Sequence, residues 1–204
     1  MENKDILRGR NMQKKFLISV LISVLFFNCS VTFAVAGPWK GRIIDIETKE
    51  PLEGAVVVAF WSRVWRTPAG NVASVYEGKE VLTDREGRFE MPSYTPINLL
   101  PLITFMKGPE FIIFKPGYGS LQMVLDRYLT GNDETKKVEP YGGQLNGYMI
   151  RISKGLIELQ KLKTREERLR ASMVGATGYH AKDLPLLYKA INEEERYLGI
   201  PERE

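Results

Sequence analysis

From Trp39 onward the apolar residues come in short runs closed by Gly, Pro or Asp, the spacing of β-strands. WKGRIIDI (39–46) is one such run, and ETKEPLEG (47–54) turns the chain after it through Pro51 and Gly54. AVVVAFW (55–61) is apolar at odd and even positions alike and so predicts a central strand buried on both faces. SRVWRTPAGNVASVYE (62–77) reads as an insert, longer than a hairpin loop needs, before the next strand, KEVLTD (79–84). DREG (84–87) predicts a tight turn into RFEMP (88–92), where Phe89 and Met91 share one face against Arg88 and Glu90. INLLPLITFMKG (97–108) has Pro101 in its middle and predicts an edge strand or a bulge. FIIFKPGYGS (111–120) predicts another strand, ended by Pro116 and Gly117. Residues 127–143 are polar and read as an exposed excursion, and LNGYMIRI (145–152) and GLIELQKL (155–162) supply the last strands.

After Lys163 the period becomes helical. Thr164 and Glu167 form a capping box ahead of EERLRASMV (166–174), with Leu169 and Met173 on one face, and Gly175 and Gly178 break that helix. Asp183 is the expected cap of a second helix, LPLLYKAINEEERYL (184–198), with Pro185 in its first turn and Gly199 and Pro201 as its stop. Leu187, Ile191 and Leu198 lie on one side of it, which calls for cover.

The N-terminus belongs outside the fold. Lys4, Arg8, Arg10, Lys14 and Lys15 precede the apolar run FLISVLISVLFF (16–27), and AVAG offers small residues before Gly37, the three parts of a cleavable secretory signal. Met12 is an alternative start. Retention as a membrane anchor over 16–36 and lipidation at Cys29 are the other readings. Cys29 is the single cysteine, so cleavage after Ala36 leaves a mature chain without disulfide or thiolate chemistry. Five of the 29 Lys+Arg and two of the 25 Asp+Glu precede Gly37, leaving 24 against 23, a charge of +1. Such a balance gives no basis for a nucleic-acid partner.

Three pieces in order carry a resemblance: GRIIDIETKEPLEGAVVV (41–58), LTDREGRF (82–89) and FKPGY (114–118). Together they resemble the carboxypeptidase regulatory-like domain family, over roughly residues 39–118. The resemblance implies an all-β fold, a small antiparallel β-sandwich of prealbumin-like or Ig-like type. To it the chain adds a C-terminal helical tail and an N-terminal signal helix, dividing as 1–36, 37–163 and 164–204. Each matched residue also has a structural role of its own: Gly41 for a close backbone approach, Leu52 to plug the sandwich end, Asp84 and Gly87 for the turn, Phe89 for the core, and Tyr118 for packing with its hydroxyl near the surface. The matched positions are scaffold positions, so no catalytic residue follows from them.

Chemistry is scarce. With one histidine, His180, and one cysteine, no His/Cys zinc site is expected, nor the histidines needed by carboxypeptidases, ring-cleaving iron dioxygenases or the urate-pathway hydrolase of the transthyretin group. No G-x-S-x-G elbow or phosphate-binding glycine loop is present. Glu166/Glu167 and Glu193/Glu194/Glu195 read as solvated helix surface beside Arg168, Arg170 and Arg196. Asn132, Asp133 and Glu134 cluster oxygens without the spacing of a calcium loop. No cofactor, metal or catalytic residue is therefore expected.

Binding remains. Trp61, Trp65 and Tyr76, with Tyr94 nearby, are candidates for stacking on a ligand, or for a self-satisfied cation-π ladder with Arg63. Leu187, Tyr188 and Ile191 are candidates for docking a partner, or for packing on the chain's own sandwich. The functional expectation is a non-enzymatic exported scaffold or interaction module, periplasmic, cell-surface or extracellular. Its partner would be a protein or a cell-envelope polymer, and the membrane would be touched only through an uncleaved signal segment. The alternative is a carbohydrate- or polymer-binding module built on Trp61 and Trp65.

Overall fold

The computed structural model describes residues 37–129, 141–145, 147–172 and 182–203. The expected signal segment with Cys29, the 132–134 oxygen cluster, Met173, the 175–178 break and His180 lie outside them. The described strands are β1 (Trp39–Asp45), β2 (Val56–Thr67), β3 (Gly70–Leu82), β4 (Arg88–Met91), β5 (Thr104–Phe114), β6 (Leu121–Met123), β7 (Tyr141–Leu145), β8 (Tyr148–Ser153) and β9 (Leu156–Leu159). The helices are α1 (Asp126–Leu129), α2 (Arg165–Ser172) and α3 (Pro185–Leu198). They build a mostly β fold of two sheets, ordered β4-β1-β9-β8-β7 and β3-β2-β5-β6.

The pairing is antiparallel with one exception, which corrects the all-antiparallel expectation. β1 and β9 run parallel, with Ile43 opposite Ile157. β9 is antiparallel to β8 on one side and parallel to β1 on the other.

Both parities of 55–61 are buried, as the run of β-branched residues predicts. Ala55, Val57, Ala59 and Trp61 enter the cluster between the sheets, with Trp39, Ile43, Phe89, Phe111, Ile113 and Ile157. Val56, Val58 and Phe60 point the other way and, with Ile112 and Phe114, meet Leu184, Leu187 and Ile191 of the C-terminal helix region. The helix therefore closes the outer face of the four-stranded sheet. Residues 35–204 form a compact unit, and both clusters are made only of residues within it.

The turn residues act as their chemistry dictates. Asp84 accepts the amides of Glu86 at 3.0 Å and Arg88 at 2.7 Å, and Gly87 sits at φ +73, where a Cβ would collide with the Ile43 carbonyl oxygen. A Cβ on Gly41 would stand 2.8 Å from the Phe89 ring. Asp45 accepts the Glu47 and Thr48 amides at 2.7 and 2.9 Å and a hydrogen bond from the Tyr118 hydroxyl. Burial, reinforced by the Asp45 carboxylate, pushes the Tyr118 hydroxyl up to about 12.

Several sequence expectations need correction. The 62–77 insert is no loop: β2 and β3 continue as one long hairpin, paired from Val56↔Leu82 to Thr67↔Gly70 and turned at Pro68 and Ala69, with Thr67 Oγ1 donating to the Gly70 carbonyl at 2.6 Å. A bulge after Trp61, opposite Gly108 and Pro109, re-registers the sheet there. Residues 97–103 are loop, not strand, and β5 starts at Thr104, because Pro101 falls in a turn. Of the 127–143 excursion, residues 130–140 lie outside the described ones and the rest hold the end of α1 and the start of β7, and the LNGYMIRI run is split between β7 and β8.

The tail holds two further corrections. The N-cap position of α3 is Leu184, without a side-chain cap, and the carboxylate of Glu80 on β3 takes the Leu186 and Leu187 amides at 2.6 and 3.0 Å. Glu194 and Glu195 are not solvated surface but 2% and 3% exposed. Arg168 grips Glu194 with two bonds of 2.6 and 2.7 Å, and Glu194 also takes the Gly117 amide at 2.9 Å, tying α2, α3 and the 115–118 turn together. Arg203 Nε donates to Glu195 at 2.7 Å, and its guanidinium also reaches the Ser172 carbonyl. The Thr164–Glu167 capping box forms as its motif predicts, with bonds of 3.2 and 3.0 Å.

Candidate binding surface

Beyond the bulge, β2, β3 and β5 run on together past the inter-sheet core. Ser62–Thr67 spans roughly 20 Å of strand. Met106 packs against the inner cluster, and Arg63 is its cross-strand neighbour, which sets Arg63 on the inner side of this overhang. Val75 packs against the outer cluster, so its neighbour Ser62 faces outward.

The candidate stacking residues divide here. Trp61 is 2% exposed, with its ring 4.6 Å from Tyr94 and 5.9 Å from Trp39, so it is core and offers no face to a ligand. Its position at the last inward-facing site before the bulge dictates this. Tyr76, in the matching bulge of β3, carries the Arg63 guanidinium 4.4 Å above its ring and donates its hydroxyl to the Ile97 carbonyl at 3.3 Å. Lys79 lies 5.2 Å from the Tyr94 ring and pairs with Glu77 at 2.7 Å, and Arg66 lies 5.3 Å from Phe105. Burial pushes the Tyr94 hydroxyl up, and the hydrogen bond to Glu77 pushes the Lys79 ammonium up. The aromatic faces thus already hold cations, the ladder arrangement rather than a bare platform. Trp65 stands apart, half-buried, with Val72 and Thr104 as cross-strand neighbours.

The feature that sequence reasoning missed lies beside Trp65. Asn98 pins the loop between β4 and β5: its amide donates to the Thr104 carbonyl at 3.0 Å, and its oxygen accepts from Thr104 Oγ1 at 2.8 Å. With its ends so held, the loop turns Ile97, Leu99, Leu100, Leu102 and Ile103 outward, Leu99 at 82% and Leu102 at 89% exposure. Val72 on the adjoining hairpin is 58% exposed. A gathering of this kind marks an interaction site more often than chance. Its signal in the sequence was the lack of any polar alternation in INLLPLI, which a solvated strand would need.

The other candidates fall elsewhere. Leu187 and Ile191 are fully buried and Tyr188 is 9% exposed against the outer sheet face, so the helix face considered for docking is covered by the chain's own strands. A shallow cleft of about 630 Å³ on the five-stranded sheet is lined by Lys40, Arg42, Arg88 and Lys154 with Asp84 and Glu90. Among the described residues no group of three His, Cys, Asp or Glu side chains is placed to hold a metal. No protein-family model, curated protein or solved structure matches the chain.

Proposed function

We propose that the chain is a non-enzymatic, exported β-sandwich module of the carboxypeptidase regulatory-like, prealbumin-like type, and that it works by binding through the overhanging tip of β2, β3 and β5. The observation that carries the reading is the cluster of exposed apolar side chains at 97–103 beside Trp65. The family part rests on the resemblance of 41–58, 82–89 and 114–118 and on the two-sheet, mostly β fold. Export is supported by the signal-like N-terminus. Trp65 sustains a second reading, carbohydrate or polymer binding, but with Trp61 buried it offers one ring where two were expected.

Fractionation of producing cells, with N-terminal sequencing of the recovered chain, tests the proposal. The exported chain should begin near Gly37 and be retained with the envelope, and Leu99→Asp/Leu102→Asp should release it at unchanged yield. Recovery in the cytoplasm with an intact N-terminus, or identical retention of wild type and variant, would sink it. Saccharide binding on a glycan array that disappears in Trp65→Ala would favour the second reading.

A further inference from the structure

We infer that the 97–103 loop is an insertion device for a lipid bilayer with an anionic surface, the apolar side chains entering the interface and the surrounding cations meeting the headgroups. The inference rests on the tip being the binding face. Three observations select a bilayer over a protein.

The first is shape. Leu99 and Leu102 are 82% and 89% exposed, side chains standing out singly from a loop rather than lining a groove. With Ile97, Leu100 and Ile103, also about half exposed, they form a convex apolar knob. A fluid apolar layer asks for no complementary shape and takes such a knob as it is.

The second is charge. The segments that build the tip, 62–76 and 91–107, contain Arg63, Arg66 and Lys107 and not one Asp or Glu. At the margin Glu77 with Lys79 and Glu110 with Lys107 cancel in pairs, which leaves Arg63 and Arg66 as the tip's net charge. Arg63 and Arg66 rest on aromatic rings and make no ion pair among the described residues. In a mature chain with a balance of +1, this end is locally positive, and cations beside exposed leucines complement anionic headgroups.

The third is the aromatic collar. Trp65, Tyr76 and Phe105 are half-buried just behind the exposed loop. Of these, Trp65 and Tyr76 are amphipathic rings of the kind that favour the interfacial zone of a membrane.

The test uses the 35–204 unit, which carries both apolar clusters, and vesicles of equal parts phosphatidylglycerol and phosphatidylcholine against pure phosphatidylcholine. Wild type should co-sediment with the mixed vesicles and release as salt rises to about 1 M, where the screening length is about 3 Å. Leu99→Asp/Leu102→Asp should lower the partition coefficient at least about tenfold, with an unchanged melting curve because both side chains are exposed. Arg66→Gln should lower it about fivefold on the mixed vesicles only. Trp39 and Trp61 are 0% and 2% exposed, so quenching by brominated lipid should report Trp65 and vanish in Trp65→Phe. Wild type left in the supernatant with both vesicle types overturns the inference, as does equal partition of the double-aspartate variant. Concentration-dependent dimerisation abolished by that variant, without vesicle binding, replaces the bilayer by a second copy. Envelope retention that the variant loses, again without vesicle binding, keeps the tip as the binding face and replaces the bilayer by a protein.

Discussion

Glu80 on β3 holds the amide of Leu187 at 3.0 Å and that of Leu186 at 2.6 Å, so a strand carboxylate caps the helix that covers its own sheet. The N-terminal end of a helix presents unpaired N–H groups and partial positive charge, and an anion there satisfies both. Glu80 lies opposite Val58 on the outer face, which places its carboxylate where α3 begins. Glu80→Ala should therefore cost about 1–2 kcal/mol in urea unfolding. Glu80→Gln, which keeps an acceptor, should cost less than half as much. Equal costs in the two variants would assign the whole effect to the charge and none to the neutral acceptor, and no cost in either would refute the cap.

Arg168 and Glu194 form the second attachment of the tail. Glu194 is 2% exposed, and both of its oxygens receive the guanidinium, so removing either partner strands a charge in the interior. Arg168→Ala should lose about 3–5 kcal/mol, whereas Arg168→Met/Glu194→Leu should recover part of it, because an apolar pair of similar size has no desolvation cost but leaves the Gly117 amide without its acceptor. Denaturant midpoints of the two single variants and the double variant measure this. A double variant as unstable as either single one would refute the argument.

These attachments also mark how far the sequence could be read. The two-sided burial of 55–61, the Asp84–Gly87 turn, the inward Phe89 and the Thr164–Glu167 box are local patterns, visible without knowing what lies across the fold. Glu80 capping α3 joins residues 106 and 107 positions apart in sequence, and Glu194 meets an arginine 26 positions away, so only the packed chain brings them together. Glu194 read as solvent-facing because its neighbours in sequence are charged. The 62–77 hairpin was hidden for a related reason: its overhang is exposed, and Arg63, Arg66 and Asn71 break the alternation that a core-facing strand keeps. At the candidate surface, Trp61 and Tyr76 show as aromatic residues in the sequence, and only the packed chain reveals that one is core and the other is covered by a cation. The loop at 97–103 was overlooked because a leucine-rich run resembles a strand until its exposure is known.

The Tyr118–Asp45 bond gives the fold an alkaline limit. Burial and the facing carboxylate raise the Tyr118 hydroxyl to about 12, against about 10 in an unfolded chain. The folded state keeps the proton longer, so this contribution is complete below about pH 10 and is lost as pH rises toward about 12. For Asp45, burial acts upward, but the amides of Thr48 and Glu47 and the Tyr118 hydroxyl outweigh it and hold the carboxyl below its usual range. Its contribution is present above about pH 4 and is lost as pH falls further. Urea midpoints should drop between about pH 9.5 and about pH 11.5, and Tyr118→Phe should flatten that drop while lowering stability at neutral pH. An unchanged slope in Tyr118→Phe would assign the alkaline limit to another group.

Trp61 and Trp65, four positions apart, should respond oppositely to truncation. Trp61 is enclosed by Trp39 and Tyr94 at the end of the inner core, and its indole cannot be replaced by movement of strands already held by the bulge. Trp61→Ala should cost about 3–5 kcal/mol and leave any protein that still folds with an intact tip. Trp65 is half-buried on the overhang, where a missing ring opens to solvent instead of leaving a cavity. Trp65→Ala should therefore stay within about 1 kcal/mol of wild type in unfolding while weakening retention at the envelope. Thermal unfolding and envelope recovery, measured on the same two variants, separate the roles. A large stability loss in Trp65→Ala would make that ring part of the scaffold and leave the tip with its leucines alone.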